Sequence, residues 1–219
     1  MKRSATLGIG TILLAFSPWT PRATAATDAE KVAAIRNGLA YLYKTQQAGG
    51  SWSYSRYEHA ATGAASFALL SQQDKWDSEA ALYQAAVDKA ISYLLNEAHV
   101  ADVSTRDDGI NICPGGTASC KSIAWYDNAD AIYPTGFVAP AIAAYGLKLG
   151  PDVVATNTGP VAGMTWAQIA QAITNAYAAS QSTSNSGKVG GAWRHAVPDG
   201  RSACRVPATR VPRNLASNS

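Results

Sequence analysis

Residues 38–52 read Gly-Leu-Ala-Tyr-Leu-Tyr-Lys-Thr-Gln-Gln-Ala-Gly-Gly-Ser-Trp, and this stretch decides the fold class. Apolar residues recur at helical spacing before and within it, at Val32, Ile35, Leu39 and Leu42. This period predicts an amphipathic helix over 28–46. The helix should end at Gly49-Gly50, because glycine adopts the backbone turns that commonly follow a helix. The stretch therefore predicts a helix, a tight turn and a tryptophan at the junction.

Four further helices are predicted, and they alternate in character. The segments 59–70 and 135–147 are rich in alanine and almost free of charge, whereas 79–97 and 165–180 are amphipathic. A helix that is apolar all round should be buried on all sides. The alternation predicts an all-α fold in which outer helices, each exposed to solvent on one side, surround buried inner helices. Small residues at the start of the inner helices would let them approach closely.

Short sequence markers recur between the predicted hairpins. They are Thr62-Gly63 with Thr135-Gly136, and Gly50-x-Trp52 with Gly191-x-Trp193. Internal repetition of this kind is typical of an array in which each unit buries its apolar face against its neighbours.

The spacing of Gly38, Leu42, Gln46, Gly50 and Trp52 resembles the QW repeat of terpene cyclases, the family that includes squalene–hopene cyclases. It also resembles the prenyltransferase and squalene oxidase repeat generally. The resemblance implies an α/α toroid built of helical hairpins. In this repeat Gln can bond exposed carbonyls, Gly permits the tight turn, and Trp stacks over the junction.

Two weaker copies extend this resemblance along the chain. Leu94-x-x-x-Ala98 keeps the helical part and is interpreted as having lost Gln and Trp. In the third copy, Gln181 ends the helix, and Gly191 and Trp193 return after a longer Ser/Asn-rich loop. The toroid domain is accordingly predicted over 26–200, with about three hairpins and an insertion over 100–122.

The reaction motifs of the family are missing from this chain. The Asp-x-Asp-Asp tetrad, in which neighbouring carboxylates keep one acid protonated, does not occur. Asp107-Asp108-Gly-Ile-Asn111 lacks the last aspartate of the magnesium-diphosphate motif. A zinc set of the prenyltransferase kind and a thioester Cys-Gly-Glu-Gln are absent too. We therefore expect no cofactor, and a domain that binds a ligand or partner rather than an enzyme with a recognisable catalytic motif.

The N-terminus is typical of a secretory signal peptide over 1–25. Lys2-Arg3 precedes an apolar run from Ala5 to Phe16, and Ala23-Thr24-Ala25 fits the cleavage pattern. The alternative is a transmembrane anchor, but the run is shorter than the ~20 apolar residues that span a bilayer. The protein is thus expected to be exported, to the periplasm or the extracellular space, with no transmembrane segment.

Charge is distributed unevenly along the chain. The formal net charge is +3, with 18 Lys and Arg against 15 Asp and Glu. Three of the bases lie in 1–25 and four in 201–219, where no acid occurs, so the middle carries 11 bases against 15 acids. Binding to nucleic acid needs clustered bases that displace counterions from phosphates. The acidic middle of the chain therefore argues against a nucleic-acid partner.

Export suits a disulfide, and Cys113 and Cys120 could close a small loop in an oxidising compartment. Half of a zinc site is the alternative, but no second pair has ligand spacing. The histidines are His59, His99 and His195, and their scatter indicates no metal site.

Two groups of polar and aromatic residues precede the inner helices and should meet at one rim of the toroid. The candidate catalytic residues are Arg56, Tyr57, His59, Asp127 and Asp130, and the candidate binding residues are Tyr54, Trp125, Tyr126 and Tyr133. Such a mixture suits a glycan, peptide or hydrophobic ligand, or general acid/base chemistry on a polysaccharide. The alternative is structural: the aromatic residues plug hairpin junctions, both aspartates cap the following helix, and Arg56 pairs with one of them.

The end of the chain departs from the repeat. Thr62 follows Trp52 by ten residues, so the third inner helix should begin near residue 203, where Pro207 and Pro212 forbid a helix. The acid-free composition of 201–219 indicates either a frame-shifted or truncated gene near Gly200 or a genuine disordered tail. With the third hairpin broken, the chain cannot close the ring of about six hairpins that the resemblance implies. A water-excluding hydrocarbon pocket of the cyclase kind is then physically implausible.

Overall fold

The computed structural model describes residues 25–106, 108–128 and 130–181. Residues 1–24 of the predicted signal peptide, the markers Gly191 and Trp193, and the tail 201–219 lie outside the described residues.

The described part of the chain is mostly helical, which confirms the helices expected from the sequence. The five α-helices are α1 (Asp28–Thr45), α2 (Glu58–Ser71), α3 (Ala80–Asn96), α4 (Ile132–Leu149) and α5 (Trp166–Ser180). Capping boxes start α1 and α5: the Thr27 and Thr165 hydroxyls each accept a backbone N–H from the first turn. Short 3₁₀ turns at Gln73–Lys75 and Asp77–Glu79 connect α2 to α3.

An all-α class is not confirmed, because the insertion contains a small two-stranded sheet. Strands β1 (His99–Val103) and β2 (Cys120–Ala124) form an antiparallel hairpin between α3 and α4. Val100 pairs with Ile123, which is fully buried in the main core. One face of the hairpin is thus held by core packing, as a short strand pair requires to be stable. The sulfur atoms of Cys113 and Cys120 lie at bonding distance, which confirms the predicted disulfide.

The two hairpins have junctions that are built in the same way. The Trp52 backbone N–H donates to the Thr62 hydroxyl (2.9 Å), and the Trp125 N–H donates to the Thr135 hydroxyl (3.0 Å). Each indole N–H donates to a carbonyl near the end of the preceding outer helix: Trp52 to Leu42 (2.8 Å) and Trp125 to Leu94 (2.6 Å). The second repeat therefore keeps its tryptophan, and the prediction that it was lost was wrong.

The side chain of Gln46 joins one hairpin to the next. Gln46 Nε2 donates to the carbonyls of Gly50 (2.9 Å) and of Ala86 in α3 (2.7 Å). Gly50 has φ 98°, and a side chain there would meet the Lys89 carbonyl at 2.5 Å. Only glycine fits this turn against α3 without strain.

The inner helices α2 and α4 pack directly on each other, as expected from their small residues. A Cβ at Gly63 would lie 2.6 Å from the Phe137 carbonyl oxygen and 2.7 Å from Val138 Cα. The missing side chain thus lets the two backbones come into contact. The core around them includes the fully buried Leu69 and Val138.

The inner helices are not buried on all sides, contrary to the sequence expectation. On α4, Phe137 is 41% exposed and Leu147 is 77% exposed, and Phe67 on α2 is 42% exposed. These helices bury the face that contacts the outer helices and each other, and they leave one apolar face open.

A separate result concerns membranes: no helix among residues 25–106, 108–128 and 130–181 is long and apolar enough to cross a bilayer.

Candidate ligand-binding rim

The predicted rim is built around the N-terminus of α2, where a carboxylate from the second repeat caps the helix of the first. Asp127 accepts hydrogen bonds from the backbone N–H groups of His59 (3.1 Å) and Ala60 (3.0 Å). Its side chain is 3% exposed. A carboxylate at this position satisfies free backbone donors and interacts favourably with the helix dipole. The expectation that Asp127 caps the helix that follows it was wrong, because it caps α2.

The same carboxylate orients His59. His59 Nδ1 lies 2.9 Å from Asp127 Oδ1 and, because a carboxylate can only accept, Nδ1 carries the proton in this bond. The imidazole stacks on Tyr93 of α3, with 5.9 Å between ring centroids. His59 Nε2 is buried, and it has no hydrogen-bond partner within the described part of the chain. The structure therefore brings together His59 and Asp127, two predicted catalytic candidates. It buries His59 Nε2, the nitrogen that would act on a substrate.

Tyr93 completes the buried part of the rim. Burial raises the pKa of its phenol, and the neighbouring Glu58 carboxylate raises it further. The phenol therefore stays neutral across the physiological range. Tyr93 links α3 to the start of α2 and was not recognised as a rim residue from the sequence.

A partly exposed row of aromatic rings follows Arg56 and continues along the start of α4. Tyr57 and Tyr133 meet edge to face at 5.4 Å between centroids, and Tyr133 and Phe137 meet likewise at 5.0 Å. Tyr133 is 52% exposed. The Arg56 guanidinium lies 5.4 Å from the centre of the Tyr57 ring, within cation–π range. We call Arg56, Tyr57, Tyr133 and Phe137 the aromatic rim.

The backbone before α4 holds this side of the rim in place. Asp127 and Asp130 exchange backbone hydrogen bonds of 3.0 and 3.1 Å, and between them Asn128 adopts a positive φ of 59°. Asn128 Nδ2 donates to the Arg56 carbonyl (3.3 Å). Asp130 thus supports the turn through its main chain.

The remaining predicted binding residues fall into different environments. Trp125 is fully buried and serves the repeat junction, so we correct its assignment as a ligand contact. Tyr126 packs edge to face on His99, at 5.2 Å between centroids. Tyr54 is exposed, but it lies in a groove beside α1, with Tyr41 and Trp52, rather than in the aromatic rim.

Sequence reasoning missed Phe137 as a rim residue. The signal was present, because Phe137 lies four residues after Tyr133, and residues at that spacing share a helix face. Phe137 was not expected at the surface, because the sequence predicts that α4 is buried on all sides. Gln181, which the sequence predicts to be a repeat residue, accepts a hydrogen bond from Arg106 (2.6 Å).

No protein-family model matches this chain, and neither a curated protein nor a solved structure does.

Proposed function

We propose that this chain is an exported repeat domain of the α/α-toroid kind that binds a glycan through its aromatic rim. The single observation that carries this proposal is the row of Tyr57, Tyr133 and Phe137, in which Tyr133 and Phe137 are exposed and Tyr57 is half-buried, with Arg56 at its end. Aromatic rings tend to be buried in monomeric proteins, so a contiguous exposed row marks a binding surface.

A glycan suits this row better than a wholly apolar ligand. A sugar ring has an apolar C–H face, which an aromatic ring can cover, and an edge of hydroxyl groups that needs hydrogen bonds. The rim offers phenol hydroxyls on Tyr57 and Tyr133 and the guanidinium of Arg56 beside the rings. A site that combines apolar contact with a few polar groups both binds and orients its ligand.

The enzyme alternative, a remnant of a terpene cyclase-like or polysaccharide-active enzyme, has less support from the geometry. General acid/base chemistry by His59 and Asp127 needs His59 Nε2 within hydrogen-bond reach of a substrate. That atom is buried, and Asp127 is already engaged by two backbone N–H groups and by His59. The pair is better suited to joining the two repeats.

The toroid itself is part of the proposal. It is supported by the identical Trp–Thr junctions of two hairpins and by inner helices that touch through Gly63. The exposed Phe137 and Leu147 support an incomplete ring, because further inner helices would cover such a face. Export is supported by the signal-like sequence of 1–25. It predicts a mature N-terminus near Ala26, which mass spectrometry of the protein from its natural host would detect.

The glycan proposal is tested by replacing a rim ring and a matched exposed ring elsewhere. Tyr133→Ala should weaken binding to the glycan selected from an oligosaccharide array by about three- to tenfold, as expected for one aromatic contact. Tyr41→Ala is the control, because Tyr41 is also exposed but lies on α1.

Calorimetric titration of the wild-type protein and both variants measures the effect, with circular dichroism to check the fold. If no glycan binds the wild-type protein, or if both variants bind like it, the rim is not the site. Release of reducing sugar by the wild-type protein would instead favour the enzyme alternative.

A further inference from the structure

A second cleft lies away from the aromatic rim, between the β-hairpin and α5. Its volume is about 560 Å³, which falls in the range of small-ligand sites. Val100 and Lys121 of the hairpin contribute one wall, and Gln168, Gln171 and Asn175 of α5 contribute the other. We call it the hairpin cleft.

The polar groups of α5 form an ordered row in this cleft. Gln168, Gln171 and Asn175 are spaced three and four residues apart, so they share one face of the helix. Asn175 is 4% exposed; its Nδ2 donates to the Lys121 carbonyl (2.8 Å), and its Oδ1 accepts from Gln171 Nε2 (2.9 Å). Asn175 therefore fixes both the strand and the orientation of Gln171.

The fixed Gln171 amide keeps hydrogen-bonding capacity for a ligand. A side-chain amide has two N–H hydrogens and one acceptor oxygen. Its bond to Asn175 uses one hydrogen, which leaves the second hydrogen and Oε1 without a partner among the described residues. One donor and one acceptor on the same planar group match the N–H and the C=O of a single residue in an extended peptide, because these two groups point to the same side of the chain.

The rest of the lining favours an uncharged peptide over other ligands. Val100, Met164 and Ala172 offer apolar surface, and methionine adapts its shape to different side chains. The Lys121 ammonium is paired with Asp102 at 3.0 Å. The described lining contains neither a carboxylate nor an aromatic ring, so it has no group to pair a cationic ligand or to stack on a sugar.

We propose that the hairpin cleft binds a short, uncharged peptide segment in extended conformation. Gln171 pairs with the main-chain N–H and C=O of one residue of the peptide, and Val100, Met164 and Ala172 contact its small apolar side chains. Extended peptides are commonly held by main-chain hydrogen bonds together with shallow pockets for alternate side chains.

Met164 provides a direct probe, because the only other methionine in the sequence is Met1. The full chain, labelled with ¹³C at the methionine methyl groups, is titrated with N-acetylated, C-amidated Ala-Val-Ala while its NMR spectrum is recorded. We expect a saturable shift of the Met164 signal. Gln171→Leu should weaken this binding by about tenfold, the effect of losing two neutral hydrogen bonds. Gln73→Leu, distant in the connection between α2 and α3, should bind like wild type.

Three results would overturn the proposal: no shift at millimolar peptide, an equal affinity of Gln171→Leu and wild type, or a shift caused by the disaccharide chitobiose but not by the peptide. Gln171 is exposed on α5, and circular dichroism checks that its replacement, which removes a donor to Asn175, leaves the fold intact. Tyr133→Ala should bind the peptide normally. Failure of the aromatic-rim proposal is therefore distinguishable from failure of this one.

Discussion

At the scale of single residues, Asp127 stabilises the start of α2, although it lies far from that helix in the sequence. Its carboxylate satisfies two backbone donors of α2 and the imidazole of His59, all of them belonging to the other repeat. Because the carboxylate is 3% exposed, water cannot replace it fully if it is removed. A buried donor without a partner costs much more than the net gain of one hydrogen bond.

We expect Asp127→Ala to lower the free energy of unfolding by about 2–4 kcal/mol, because it removes a helix cap and leaves buried donors unpaired. Urea denaturation followed by circular dichroism measures this change. Asp102→Ala is the matched control: its carboxylate also pairs with a base but is 64% exposed, so its loss should cost less than about 1 kcal/mol. Equal effects of the two substitutions would contradict the capping role.

At the scale of elements, the contact between α2 and α4 depends on one glycine, and the equivalent glycine in the second repeat is a natural comparison. A Cβ at Gly63 meets backbone atoms of α4 at 2.6 and 2.7 Å, and backbone atoms cannot rotate away. A Cβ at Gly136 meets the Tyr177 hydroxyl at 3.5 Å, which is an ordinary contact. The Thr-Gly marker therefore allows close helix packing at Gly63 but is not needed for it at Gly136.

Gly63→Ala should therefore destabilise the protein by about 1–3 kcal/mol, since the two inner helices must move apart. Gly136→Ala should be neutral or should stabilise by up to about 1 kcal/mol, because alanine is the better helix former. Thermal and urea unfolding of both variants tests the pair. A loss of stability in Gly136→Ala as large as that in Gly63→Ala would show that the contact is not the cause.

At the scale of the whole molecule, partly buried tyrosines pack against the core between the outer and inner helices. Burial raises the pKa of Tyr93, Tyr145 and Tyr177. The Asp88 carboxylate of α3 raises that of Tyr145 further by accepting its hydrogen bond (2.7 Å). The phenols must therefore be neutral for the packing around them to persist.

This arrangement predicts that the protein loses stability in alkali. A folded-state pKa above the unfolded value of about 10 contributes stability that is fully present below pH 10 and is lost as pH rises further. Urea unfolding at a series of pH values should show this decline. Tyr145→Phe should make the decline shallower, whereas Tyr41→Phe, on the exposed side of α1, should leave it unchanged. A pH dependence identical in all three proteins would contradict the prediction.

Much of the described fold follows from local signals in the sequence. The helices, the glycine turn and the cysteine pair depend on periodicity and spacing within one segment, and each lies where the sequence predicts it. The tryptophan of the second repeat was harder to find, because the β-hairpin places Trp125 31 residues after Leu94 instead of the ten that separate Trp52 from Leu42. Local spacing cannot show a repeat that an insertion divides.

Periodicity and spacing are enough to show which segments are helices and which residues come just before the inner helices. The capping of α2 by Asp127, the burial of Trp125 and the exposure of Phe137 follow from the three-dimensional packing and not from a local signal in the sequence. The physical reason is the same in each case. Helix formation depends on residues a few positions apart, whereas capping, burial and exposure depend on which distant segment lies opposite.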